Sequence, residues 1–66
     1  MTIIVNSETM DVPEGSTVRQ LLTRLNIDKR PVAVERNKSI VSHRIFDTAI
    51  LVNGDVLEVV TLVGGG

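Results

Sequence analysis

Thr17-Val18-Arg19-Gln20-Leu21-Leu22-Thr23-Arg24-Leu25 is the stretch of this chain that reads most clearly as a helix, and it decides the fold. Thr17 precedes Gln20 by three positions, the spacing of a capping box. In that motif the Thr hydroxyl accepts from the Gln20 N–H and the Gln side chain reaches back to the Thr N–H. Val18, Leu21, Leu22 and Leu25 recur at i, i+3, i+4 and i+7, which places them on one apolar stripe. Arg19, Thr23 and Arg24 fill the opposite side. Asn26 suits the left-handed conformation that ends a helix, and Pro31 lies safely beyond it.

The segments on either side read as strands. Thr2 to Val5 is a β-branched run, Asn6-Ser7-Glu8 supplies turn residues, and Thr9 to Val12 returns as the second arm of a hairpin. Pro13-Glu14-Gly15 then breaks the pattern. Beyond the helix, Val32 to Arg36 is a strand, Asn37-Lys38 a tight turn and Ser39 to Ser42 the return. His43 to Leu51 is expected to be irregular or a short helical turn. Asn53-Gly54 is a strong turn signal, and Val56 to Leu62 is the longest strand. A single apolar helix face needs a single sheet to cover, so the economical architecture is a two-layer α+β domain.

Alternation sorts the faces of that sheet. Ile3, Val5, Val32, Val34, Leu57 and Val59 form a consistent set facing the helix. The opposite phase holds Ile4, Ala33, Glu35, Glu58, Val60 and Leu62, and nothing else in the chain is available to cover it. A small monomer normally places polar residues on such a face. Ile4, Ala33, Val60 and Leu62 are therefore expected to form an exposed apolar patch that docks a partner.

With 66 residues the chain has room for one domain and a small core. The net charge is −1 and no basic block stands out. Phe46 is the sole aromatic residue, so there is no platform for stacking bases, and nucleic acid is not an expected partner. The absence of cysteine excludes disulfides, thiolate metal sites and a thiol nucleophile. No apolar stretch has the length of a membrane span and no secretory leader opens the chain, so a soluble cytoplasmic protein is expected. Side-chain chemistry is sparse. His43 is the only histidine and reads as a solvated loop residue; the acids are scattered singly, and no metal-ligand set is apparent. Gly15-Ser16-Thr17 opens a helix without the lysine of a phosphate loop, which makes it a turn and a cap.

The remaining chemistry lies in Gly64-Gly65-Gly66. Glycine lacks Cβ, so such an arm passes through a narrow channel and takes whatever φ the channel imposes. Three extended residues reach about 10 Å, enough to project the Gly66 carboxylate from a globular body. A carboxylate is a poor acyl donor until activated, and adenylylation by ATP is the usual remedy. The activating site would belong to a partner, so the chain itself is not expected to be an enzyme.

Several stretches together resemble something specific. They are Pro31-Val32-Ala33-Val34-Glu35-Arg36-Asn37, Gly54-Asp55 followed by Leu57-Glu58-Val59-Val60, and Val63-Gly64-Gly65-Gly66. The whole chain resembles the ThiS family of sulfur carriers in thiamin biosynthesis, which have a ubiquitin-like β-grasp fold. The resemblance implies a mixed sheet of four to five strands packed on one helix, a folded domain over residues 1–63, and a flexible tail over residues 64–66. It further implies that a ThiF-type adenylyltransferase uses ATP and magnesium to adenylate Gly66. Sulfur from cysteine, delivered through a desulfurase, would then replace AMP to leave a thiocarboxylate, and thiazole synthase would take that sulfur. No permanently bound cofactor is implied. The family often has Pro-Arg where Ser42-His43 stand here, and Trp in place of Phe46. Two other readings share the β-grasp. One is the small subunit of molybdopterin synthase, which is generally longer; the other is an interaction or modifier module in which Gly66 forms an isopeptide bond or does nothing.

Overall fold

Two left-handed residue pairs fold four of the strands into hairpins. Asn6 and Ser7 have φ of 50° and 70°, and Asn37 and Lys38 have φ of 51° and 71°. Positive φ at both central residues is what a two-residue type I′ hairpin turn requires. The first turn joins β1 (Thr2–Val5) to β2 (Glu8–Asp11), and the second joins β3 (Val32–Arg36) to β4 (Ser39–Val41). Helix α1 (Val18–Arg24) lies between the hairpins, and β5 (Val56–Thr61) follows a short 3-10 turn at His43–Ile45. The computed structural model describes residues 1–62.

Among the described residues the five strands form one sheet in the order β2-β1-β5-β3-β4. The β1–β5 pair is parallel and the other three are antiparallel, so the sheet is mixed. One helix across a mixed five-stranded sheet, in the chain order strand-strand-helix-strand-strand-strand, is the expected ubiquitin-like β-grasp. Boundaries shift slightly from the sequence expectation. β2 runs one residue earlier than anticipated, β4 stops at Val41, and β5 stops at Thr61, short of Leu62.

The helix forms for the reasons its sequence announced. Thr17 is extended, with ψ of 167°, and the capping box is complete: the Gln20 N–H donates to the Thr17 hydroxyl at 3.2 Å, and the Thr17 N–H donates to Gln20 Oε1 at 2.9 Å. Asn26, with φ of 61°, takes the left-handed position past the C-cap. Seven residues are too few for an isolated helix to persist in water, so the fold must hold it. Val18, Leu21 and Leu22 are buried in one cluster with Ile3, Val5, Val34, Leu57 and Val59. Each fully buried side chain of this kind contributes roughly 1.5–3 kcal/mol.

The chain between β4 and β5 is shaped by the same helix. The N–H groups of Val18 and Arg19 have no partner within the helix, and they donate to Ala49 O at 2.9 Å and Phe46 O at 2.8 Å. The Leu51 N–H donates to Ser16 O at 2.8 Å. Those bonds press Phe46 and Leu51 into the core, where Val12 joins them. Gly15, between β2 and the helix, and Gly54, just before β5, turn the chain with φ of +81° and +87°. Open space surrounds both, so glycine is required for backbone conformation and not for clearance.

Candidate functional site

The sheet face away from the helix is built by simple alternation along β5. Leu57 and Val59 point into the core, which leaves Val56, Glu58 and Val60 on the other side. Register brings neighbours to them: Ile4 beside Val56, Ala33 beside Val60, and Glu35 between Glu58 and Ile40. The exposures are 36% for Ile4, 42% for Val56, 56% for Val60 and 73% for Ile40. Ile4 and Val56 are neighbours on paired strands, Val60 follows beyond Glu58 on β5, and Ile40 stands apart on the edge strand β4, across Glu35.

Glu35 and Glu58 stand directly opposite one another on that face. Like charges so placed repel. Among the described residues the ion pairs are Arg19–Asp47 and Arg36–Asp55, so neither glutamate is neutralised by a cation. A partner that brought one cation to this point would relieve the repulsion while covering the aliphatics.

A buried clasp holds β5 in register with the β3–β4 turn. Asp55 is 4% exposed and is fully engaged. Its Oδ1 accepts from Asn37 Nδ2 at 3.0 Å, and its Oδ2 accepts from the Val52 N–H at 2.8 Å and pairs with Arg36 Nη2 at 2.7 Å. Asn37 completes the clasp by accepting the Val56 N–H at 3.0 Å. Burial pushes the Asp55 carboxyl up, but the Val52 N–H, the Asn37 amide and the Arg36 guanidinium together outweigh it and hold the group below the ordinary range. The Arg36-Asn37 and Gly54-Asp55 segments, far apart in the sequence, are thus halves of one contact.

Asn6 makes a second long-range clasp. Its amide donates to Val59 O at 3.0 Å and accepts the Val59 N–H at 2.8 Å. The parallel β1–β5 ladder pairs only Ile4 with Val56 and Val5 with Leu57. The Asn6 side chain therefore serves β5 as a surrogate strand where β1 turns away.

Residues 2–66 match the sequence model of the ThiS family. The chain belongs to the ThiS family. The sulfur carrier protein ThiS of Bacillus subtilis strain 168 is 38% identical to this ThiS-family chain over 53 residues, covering 80% of each. Proteins named thiazole synthase from Paramagnetospirillum magneticum and Magnetococcus marinus are each 39% identical over all 66 residues. This chain spans only 20% of the length of those two. The crystal structure of a thiamine biosynthesis protein, ThiS, from Geobacter metallireducens superimposes with a TM-score of 0.83 at 30% identity, covering the whole of both chains.

Of the positions anticipated for this ThiS-family chain, Ile4, Ala33 and Val60 share the uncovered face. Leu62 stands one residue past the end of β5, half exposed, with its N–H donating to Pro31 O at 2.8 Å. Gly64, Gly65 and Gly66 lie outside the described residues. Sequence reasoning missed Val56 and Ile40. Val56 shares its phase with Glu58 and Val60 and could have been found by that alternation, whereas Ile40 needed the register across the Asn37-Lys38 turn. His43 is exposed on the 3-10 turn, as expected. Among the described residues, no group of three or more His, Cys, Asp or Glu side chains could hold a metal ion. No helix among them is long and apolar enough to cross a membrane.

Proposed function

We propose that this chain is a sulfur carrier of thiamin biosynthesis and that the carboxylate of Gly66 is the group that carries the sulfur. A ThiF-type adenylyltransferase, using ATP and magnesium, would form the Gly66 acyl-adenylate with release of pyrophosphate. The terminal sulfur of a desulfurase-bound persulfide, drawn from cysteine, then attacks the carbonyl carbon and expels AMP, and a second thiol reduces the acyl disulfide so formed, leaving the thiocarboxylate and a disulfide. The resulting thiocarboxylate is the donor to thiazole synthase, and Gly64 and Gly65 are the slender arm that delivers it. ATP and magnesium are substrates of the partner, not residents of this chain, and the setting is the cytoplasm. The uncovered face formed by Ile4, Ala33, Val56 and Val60, with Leu62 at its exit, docks those partners.

The observation that carries this reading is the family match over residues 2–66, which includes the glycine run. The similarity to part of two proteins named thiazole synthase supports pairing with that chemistry. Incubation with ATP, a cognate adenylating enzyme and a sulfur donor tests it. Intact mass should rise by the difference between a sulfur and an oxygen atom, and deletion of Gly66 should abolish the rise. An unchanged mass with a demonstrably active partner would refute it.

A further inference from the structure

On the helix side of Leu62 lies an open cleft of about 310 Å³, lined by Arg19, Arg30 and His43 around an apolar floor of Val32, Phe46 and Leu62. We infer that this cleft is a second recognition surface, which takes carboxylate side chains of the adenylating partner beside the point where the chain leaves β5 for its glycine run. The inference rests on the carrier reading and adds to it a charge requirement on the partner.

The charge on the cleft is local and organised. The whole chain carries −1, yet the ionisable side chains lining this site are two arginines and a histidine. Arg19 is held in place: its Nε donates to Asp47 Oδ1 at 3.1 Å, its Nη1 donates to Asp28 O at 3.3 Å, and its guanidinium lies 5.5 Å from the Phe46 ring centroid. Arg30 and His43 are exposed and make no ion pair among the described residues. Arg30 immediately precedes Pro31, whose carbonyl accepts the Leu62 N–H, so its backbone is fixed next to the root of the glycine run.

The same geometry argues for protein carboxylates over a phosphate. A phosphate site usually gathers free backbone N–H groups. Here the nearby Val18 and Arg19 N–H groups are already consumed by Ala49 O and Phe46 O. What remains is the Arg30 guanidinium, beside the Asp47-paired Arg19 and His43, over an apolar floor, which suits a carboxylate with an aliphatic residue next to it. Such charge pairing on a rim sets partner choice and association rate.

The test is binding of the full chain to its cognate adenylating enzyme, measured calorimetrically without nucleotide at low and at high salt. Arg30→Glu should weaken binding about tenfold at low salt and flatten the salt dependence, while Arg30→Lys should stay within about threefold of wild type. Thermal unfolding of both variants should match wild type, since Arg30 is exposed and its side chain has no ion-pair partner among the described residues. Binding of Arg30→Glu within twofold of wild type, with an unchanged salt slope, overturns the cleft and leaves the carrier reading intact. An effect of Arg30→Glu that appears only when ATP is present assigns the anion to the nucleotide and also overturns it. Failure of wild type both to bind and to be adenylated overturns both readings together.

Discussion

The two faces of the sheet are made by the same strands, residue by alternate residue, yet they answer to different constraints. On the helix side, Ile3, Val5, Val34, Leu57 and Val59 are buried against Leu21 and Leu22. On the other side, Ile4, Val56 and Val60 are just as branched and apolar but stay in contact with water, with Glu35 and Glu58 set among them. The chain satisfies its own packing with one face and leaves the other uncovered among the described residues. Hydrophobicity alone therefore does not distinguish core from surface residues here; the presence or absence of a covering element does.

The sharpest way to break the comparison is to cut the same kind of side chain from each face. Leu57→Ala, on the covered face, should cost about 3 kcal/mol in urea unfolding, since removal of a buried leucine loses both transfer energy and packing. A loss below about 1 kcal/mol would show that the covered face is not the core. Next in size is the clasp, which fixes the register that assigns residues to faces. Asp55→Ala should cost about 2 kcal/mol at neutral pH, because it strips a buried pair and leaves the Val52 N–H and Asn37 amide unmatched. This loss is pH-dependent. The Asp55 carboxyl is held below its ordinary value of 3.8 when folded, so as pH falls the unfolded chain takes up the proton first. The contribution of its charge is whole above that value and drains away as pH drops through the lower folded one. Wild type and Asp55→Ala should therefore converge in stability under acid, and an acid-independent gap would assign the clasp's worth to packing alone. The smallest effect on folding belongs to the uncovered face. Val60→Asp should change stability by less than about 0.5 kcal/mol while weakening the adenylating partner about tenfold. Normal binding by that folded variant would reduce the face to ordinary surface.

What could be read from sequence was whatever is decided locally. The Thr17–Gln20 box, the helix stripe, the Asn37-Lys38 turn and the inward phase of Leu57 and Val59 each depend on residues close together in the chain. The segment from His43 to Leu51 has no periodicity, because its shape is dictated by helix N–H groups that reach Phe46 and Ala49 from far along the chain. Phe46 and Leu51 were for that reason not foreseen as core. Arg19 stands opposite the apolar stripe of the helix in sequence, yet it is half-buried over Phe46. Leu62 shows the limit of alternation. The phase of β5 aligns it with Val60, but the strand ends at Thr61 and Leu62 borders the basic cleft. The residues assigned the chemistry, Gly64 to Gly66, are known from the sequence and the family alone.

The strand order has a consequence for how the protein comes into being. The β1–β2 and β3–β4 hairpins do not touch each other within the sheet; β5, encoded after all of them, is inserted between. Each hairpin can close early from local contacts, but the long-range pairings that join them must wait for residues 56–61. A fragment of residues 1–54 should show no cooperative unfolding, and a folded fragment would contradict this. The keystone of the arch is thus laid after both hairpins it joins. A chain interrupted before residue 56 therefore holds two hairpins and a helix with no strand to join them.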